Sequence, residues 1–179
     1  RDPELARTAR ETLDYVLRDM THPGGGFYSA EDADSLPPED DGKAAGGGHP
    51  PKSEGAFYLW TQRELESVLG SADAALFSAR YGVQPDGNAP ADPHDEFHGK
   101  NILYAREDIS EAARRLGLKA SDATLRLEAA IKRLLEVRSK RPRPGLDDKV
   151  LASWNGLMIS GLARGARVLG EERYLAAAR

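Results

Sequence analysis

Apolar residues return at steps of three or four along several stretches of this chain. That spacing stacks side chains on one face of an α-helix and restricts the chain to a mainly helical fold. Leu5, Ala9, Leu13, Val16, Leu17 and Met20 form the first stripe. Asp2 precedes it as an N-cap, and Pro3 takes the first helical position, where its missing N–H costs nothing. A helix is therefore predicted over 3–20, ended by His22-Pro23-Gly24-Gly25. Thr61 and Glu64 have the spacing of a capping box, which predicts a short helix to about residue 69. Further helices are predicted over 72–81, stopped by Gly82, over 109–116 and over 122–139, where Leu125, Leu127, Ile131, Leu134, Leu135 and Val137 recur. The stretch 150–169 carries little polarity before Arg164 and stops at Gly170; a last helix starts at Glu171.

The connections alternate between short and long. Residues 26–29 and the aromatic-rich 54–60 read as short extended pieces. They are predicted to form an irregular hairpin around 36–53, a flexible loop of Pro, Gly, Asp, Glu and Lys with little to bury. A second loop is expected over 83–100, and 101–104 as a short extended piece. Paired helices joined in this way form the expected architecture, without an exact repeat.

Composition excludes several function classes. Apolar residues make up 40% and charged residues 30%, as in an ordinary soluble domain. The net charge of -4, from 25 basic and 29 acidic side chains, gives no basic stripe for nucleic acid. No apolar run has the length of a membrane span, and the first residues show no signal-peptide pattern of basic, apolar and small-residue regions. Cytoplasm is the default location. The absence of cysteine rules out disulfides, thiolate zinc sites and cysteine nucleophiles within these residues. The chain opens on Arg1-Asp2-Pro3 and stops at Ala177-Ala178-Arg179 inside a helical pattern without a cap, so both ends read as cuts through a longer domain.

Three segments could carry chemistry. In Gly26-Phe27-Tyr28-Ser29-Ala30-Glu31-Asp32-Ala33-Asp34-Ser35, the acids Asp32 and Asp34 alternate and would share one side of an extended chain. Neighbouring carboxylates suit acid–base work or the binding of polyol hydroxyls, and equally suit the capping of turn N–H groups. In Glu54-Gly55-Ala56-Phe57-Tyr58-Leu59-Trp60, Tyr58 and Trp60 fall in register with Glu54. That arrangement fits a sugar-stacking face beside a carboxylate, or a strand packed on both sides. In Asp147-Asp148-Lys149-Val150-Leu151-Ala152-Ser153-Trp154-Asn155-Gly156, either Asp can cap the following helix, Lys149 can neutralise the pair, and Asn155 in an apolar stretch must be hydrogen-bonded. Among His22, His49, His94 and His98 no ligand set has metal spacing, so no metal is expected. Gly46-Gly47-Gly48 is not a phosphate loop, an EF-hand loop would need Glu where Lys43 stands, and Ser29 and Ser153 lack a nucleophile elbow. No cofactor is expected.

These segments, together with Gly99-Lys100-Asn101-Ile102-Leu103, resemble the spermatogenesis-associated protein 20 family, whose bacterial members are often labelled thioredoxin domain-containing proteins. The resemblance spans essentially the whole chain. It implies the early-to-middle hairpins of a six-hairpin α/α toroid, similar to those of N-acylglucosamine 2-epimerases and six-hairpin glycosidases. It also implies an N-terminal thioredoxin-like domain outside this stretch. In related toroids the ligand sits in a central funnel lined by loops. Epimerases of that fold act through histidines, and none of the four here falls on those positions.

The expectation is a sugar-like ligand met by the carboxylates Asp32, Asp34, Glu54, Asp147 and Asp148. Tyr28, Ser35, Tyr58, Trp60, Asn101, Lys149, Trp154 and Asn155 would bind it, with all three segments at one funnel mouth. Glycosidase- or epimerase-like acid–base chemistry is one outcome; a non-catalytic scaffold or binding module serving the thioredoxin-like domain is the other. The remaining partners would be the rest of the toroid and that domain, with neither nucleic acid nor membrane.

Overall fold

The computed structural model describes residues 2–38, 51–89 and 97–179. Among them are seven helices: α1 (Pro3–Asp19), α2 (Gln62–Leu69), α3 (Ser71–Tyr81), α4 (Ile109–Arg115), α5 (Ala120–Arg138), α6 (Ala152–Leu169) and α7 (Glu172–Ala177). Four two-residue strands accompany them: β1 (Ala30–Glu31), β2 (Asp34–Ser35), β3 (Ser53–Glu54) and β4 (Leu146–Asp147). The chain is thus mainly helical, and no described helix is long and apolar enough to cross a membrane. It divides into two compact units, Arg1–Asp32 with Gly145–Arg179, and Ala33–Pro144.

The first unit is built on α1, α6 and α7. Asp2 accepts hydrogen bonds from the backbone N–H of Glu4 and Leu5, and Pro3 opens the helix, so α1 begins where local chemistry dictates. Its stripe meets α6: Leu13, Phe27, Leu162 and Tyr174 form the buried centre, with Val16, Leu17, Met158 and Leu169 against it. Gly165 permits this approach, since a Cβ there would stand 2.5 Å from Leu13 Cδ1. The Tyr174 hydroxyl is satisfied by donating to Asp14 at 2.9 Å. The strands β1 and β4 pair antiparallel, Ala30 opposite Asp147 and Glu31 opposite Leu146.

The second unit pairs α2 with α3 and α4 with α5. Thr61 and Glu64 form the capping box in full: Thr61 Oγ accepts from the Glu64 N–H, and the Glu64 carboxylate accepts from the Thr61 N–H at 2.7 Å. Leu65, Leu69, Leu76, Phe77, Ala112, Leu127 and Leu134 are buried between the helices around Trp60.

Between the helices, expectation and structure part company. Residues 54–60 do not form an aromatic strand. Gly55 has φ +67°, and Tyr58 N–H donates back to Gly55 O at 2.7 Å, so the chain turns instead of extending. The period of two is lost: Phe57, Leu59 and Trp60 are all buried while Tyr58 is exposed. A hairpin does exist, but its strands are the acidic residues of β2 and β3, Asp34 opposite Glu54 and Ser35 opposite Ser53. Most of the expected flexible loop 36–53, and part of 83–100 with it, lies outside the described residues, as do His49, His94, Lys43 and Gly46-Gly47-Gly48.

Candidate functional site

The first and third chemistry-bearing segments meet in the first unit. Asp32 N–H donates to Gly145 O at 2.7 Å, which carries the β1–β4 register one pair further. In this register Asp32 and Asp147 fall on one face as diagonal cross-strand neighbours, a relation that spaces residues roughly 7–8 Å apart, with their Cβ atoms somewhat closer. Gly145 makes room for the first of them: a Cβ there would lie 2.9 Å from Asp32 Oδ2. Glu31 takes the alternate face, where its carboxylate accepts from the Tyr15 hydroxyl at 2.8 Å.

Lys149 holds Asp147. Its Nζ lies 2.7 Å from both carboxylate oxygens, and its backbone N–H reaches Oδ1 at 3.3 Å. The side-chain hydrogen bond from Lys149 is the largest influence on Asp147 and keeps its pKa below the ordinary carboxylate value. Asp147 therefore stays ionised at neutral pH. Neither Asp147 nor Asp148 caps α6; the N-cap is Leu151, without a side-chain bond. The reason is that Asp147 lies in β4, where its carboxylate is taken up by Lys149 and its carbonyl oxygen accepts from the Ser29 hydroxyl at 3.1 Å. Asp148, just after β4, is exposed.

Asn155 ties the glycine-rich turn to α6. Its Oδ1 accepts from Phe27 N–H at 2.7 Å and its Nδ2 donates to Phe27 O at 3.0 Å, a side-chain copy of a strand pairing. Gly26, at φ +88°, lets the two elements close: a Cβ there would meet Val150 Cγ1 at 3.1 Å and Asn155 Oδ1 at 3.3 Å. Tyr28, two residues on, is half-buried with the His22 ring edge-on at 5.5 Å. Trp154 stands on the first turn of α6 and is 54% exposed.

The remaining candidates belong to the second unit. Asp34 and Glu54 are both exposed and directly opposed in β2–β3. Ser35 is buried, and its Oγ accepts from Phe57 N–H at 2.8 Å. Trp60 is only 2% exposed and lies under the Arg141 guanidinium, 3.9 Å from its ring centroid. Asn101 is fully buried and committed to backbone: it accepts from Gln84 N–H and donates to the carbonyls of Gln84 and Trp60. Ser35, Trp60 and Asn101 thus brace the turn that follows β3, while Asp34, Glu54 and Tyr58 are exposed. Each unit brings some of the predicted residues together: Tyr28, Asp32, Asp147, Asp148, Lys149, Trp154 and Asn155 in one, Asp34, Ser35, Glu54, Tyr58, Trp60 and Asn101 in the other. The pair Asp32 and Asp34 is divided between them.

Two residues escaped the sequence reading. Tyr15 stands outside the α1 stripe and donates to Glu31, and Arg141 looks like one of several basic residues in a Pro-rich break. Arg141 donates to Phe57 O, Leu59 O and Glu64 Oε1, at 3.1, 2.6 and 3.0 Å. Pro142 and Pro144, which follow it, were the available signal of a fixed rather than floppy segment. No cluster of three metal-ligating side chains occurs among the described residues.

No family model matches the chain. Individual proteins do. Spermatogenesis-associated protein 20 of Homo sapiens is 42% identical over 97% of this chain, and that of Mus musculus 39% identical over 99% of it. The chain belongs to the spermatogenesis-associated protein 20 family. It spans 22% and 23% of the length of those two relatives.

Proposed function

We propose that the β1–β4 ribbon of the first unit forms part of a carbohydrate-binding site in a toroid of successive helical hairpins. Asp32 and Asp147 would be its working carboxylates and Trp154 its stacking surface. The observation that carries this reading is the register, which sets the two acids diagonally on one face. Residues so placed stand roughly 7–8 Å apart, and their rotamers can set the two carboxyl groups at the ~6.5–9.5 Å at which one protonates a leaving oxygen and the other activates water. Lys149 keeps Asp147 ionised, as a base must be. Support for the toroid comes from the pairing of α2 with α3, α4 with α5 and α6 with α7 as chain neighbours. Asn155 and Lys149 are positioning residues, the one fixing the turn before Tyr28 and the other the Asp147 carboxylate.

A thermal-shift panel of neutral mono- and disaccharides on the full-length protein tests the reading. A sugar at about 100 times its Kd should stabilise the protein by about 2.7 kcal/mol. Asp32→Asn and Asp147→Asn should each erase the shift. A panel without a hit, or a hit indifferent to both variants, overturns it.

A second reading is favoured by α6 itself. Trp154, Leu157 and Val168 fall on one side of α6 and are all exposed, Leu157 by 74%, as expected of a surface that packs against protein. Under it the chain is a scaffold, serving a thioredoxin-like domain in the longer family members. Acrylamide quenching of Trp154 in the full-length protein separates the two, because a covered indole has no face to offer a sugar.

A further inference from the structure

A cavity of about 270 Å³ lies wholly within the second unit. Its walls are the rings of Trp60, Phe77, Tyr81 and Tyr104 together with aliphatic side chains of α5. These rings are held in place by their own packing. Trp60 is fixed under the Arg141 guanidinium, and the Phe77 and Tyr81 rings stand 4.5 Å apart, tilted by 40°. The Tyr104 ring is seated on Gly82, where a Cβ would come within 2.6 Å of its Cε1. Tyr104 is 50% exposed and Leu135 41%, so the cavity is reached from solvent on their side. Among the described residues that line it there is no carboxylate, lysine or histidine. Arg138 borders it, but its guanidinium is engaged with the rings of Phe57 and Tyr58, 5.5 and 5.2 Å from their centroids, and neither of those rings lines the cavity.

That lining selects an occupant by charge, polarity and shape. Apolar, ring-lined space of this kind offers water few hydrogen-bond partners and takes up small aromatic molecules. A sugar is a poor fit, because most of its hydroxyls would be desolvated without partners. A carboxylate or ammonium group fits worse, since it would leave water for a wall with no counter-charge turned toward it. A planar ring gains offset and edge-on contacts with the wall rings that a saturated ring of equal size does not. The size lies just under the range of drug-sized pockets, which suits one or two fused rings. We propose that this cavity binds a small uncharged planar aromatic molecule, held between Trp60, Phe77 and Tyr104. The site is separate from the β1–β4 ribbon and does not depend on the carbohydrate reading.

Calorimetric titration of the full chain at neutral pH with 2-naphthol, the anion 2-naphthoate and the saturated alcohol decahydro-2-naphthol tests the assignment. 2-Naphthol should bind about tenfold or more tightly than 2-naphthoate, the penalty of an uncompensated charge. It should bind roughly three- to tenfold more tightly than decahydro-2-naphthol, the increment of the aromatic contacts. Ala105→Trp, at an exposed residue lining the cavity, should abolish 2-naphthol binding without disturbing the packed helices. Absence of 2-naphthol binding overturns the proposal. So does a carboxylate or a saturated alcohol that binds as tightly as 2-naphthol, or affinity untouched by Ala105→Trp.

Discussion

Replacing Asn155 by Ala removes a cross-brace whose effect can be followed at a single amide. In the native protein the Phe27 N–H donates to Asn155 Oδ1 at 2.7 Å, and Phe27 O accepts from Nδ2 at 3.0 Å. Phe27 itself is buried, so water replaces these partners poorly. An orphaned buried donor or acceptor costs about 1–3 kcal/mol. With two such groups in a half-buried setting, Asn155→Ala should lower stability by about 2–4 kcal/mol. Asn155→Asp keeps the acceptor toward Phe27 N–H but loses both donor hydrogens and sets a negative charge against the carbonyls of Phe27 and Leu151. It should cost at least as much as Ala. Urea denaturation gives the free energies, and amide hydrogen exchange gives the local readout. Protection of the Phe27 amide should collapse in both variants while the centre of α5 keeps its own. A Phe27 amide that stays protected in Asn155→Ala, or a loss below about 0.5 kcal/mol, would refute the reasoning and reduce Asn155 to a surface residue of α6.

Arg141→Met retains the aliphatic stem but strips three hydrogen bonds and the stack on Trp60, and should cost about 3–5 kcal/mol, read from denaturant midpoints. Its effect should be coupled to Glu64→Gln by about 1 kcal/mol or more in a double-mutant cycle; strict additivity would contradict the salt bridge. Thr61→Ala loses one capping bond and should cost about 1 kcal/mol, less than Glu64→Ala, since Glu64 serves both the cap and Arg141. For Asp147, whose folded pKa is depressed chiefly by Lys149, the linked stability is present above the ordinary carboxylate range and lost as pH falls through the depressed midpoint. In Lys149→Met the midpoint should rise and that acid-side loss should vanish, as an NMR titration of the Asp147 carboxyl would register; an unmoved midpoint would remove Lys149 from the site.

Legibility in the sequence followed the range of the interaction. The α1 cap at Asp2, the Thr61–Glu64 box and the Gly82 and Gly170 stops depend on residues within one turn, and all stand where the sequence placed them. The segment 54–60 misled because its conformation is fixed from elsewhere. Arg141 collects the carbonyls of Phe57 and Leu59 from more than eighty positions along the chain, and alternation of aromatics carries no trace of that. The ribbon pairings were equally hidden: nothing near Ala30 announces Asp147 as its partner. Asn155 was recognisable as a residue needing a partner, because an amide in an apolar helix must be satisfied, but not that the partner would be both sides of one peptide unit at Phe27. The cavity in the second unit left a weak signature in Phe77 and Tyr81, four apart on α3, which by spacing alone reads as core.

The junction of Asp32 with Gly145 has a kinetic meaning. The chain leaves the first unit at one of these residues and re-enters it at the other, and the two are hydrogen-bonded. All of 33–144 is, for the first unit, one closed excursion, whose entropic penalty grows only with the logarithm of its length. Joining Asp32 directly to Gly145 through a two-residue Asn-Gly turn would convert the long-range β1–β4 pairing into a hairpin. Relative contact order would fall sharply, and α1, α6 and α7 would be expected to assemble faster. The second unit would then be a cassette, exchangeable for others of different size so long as both of its ends reach the same pair of strands.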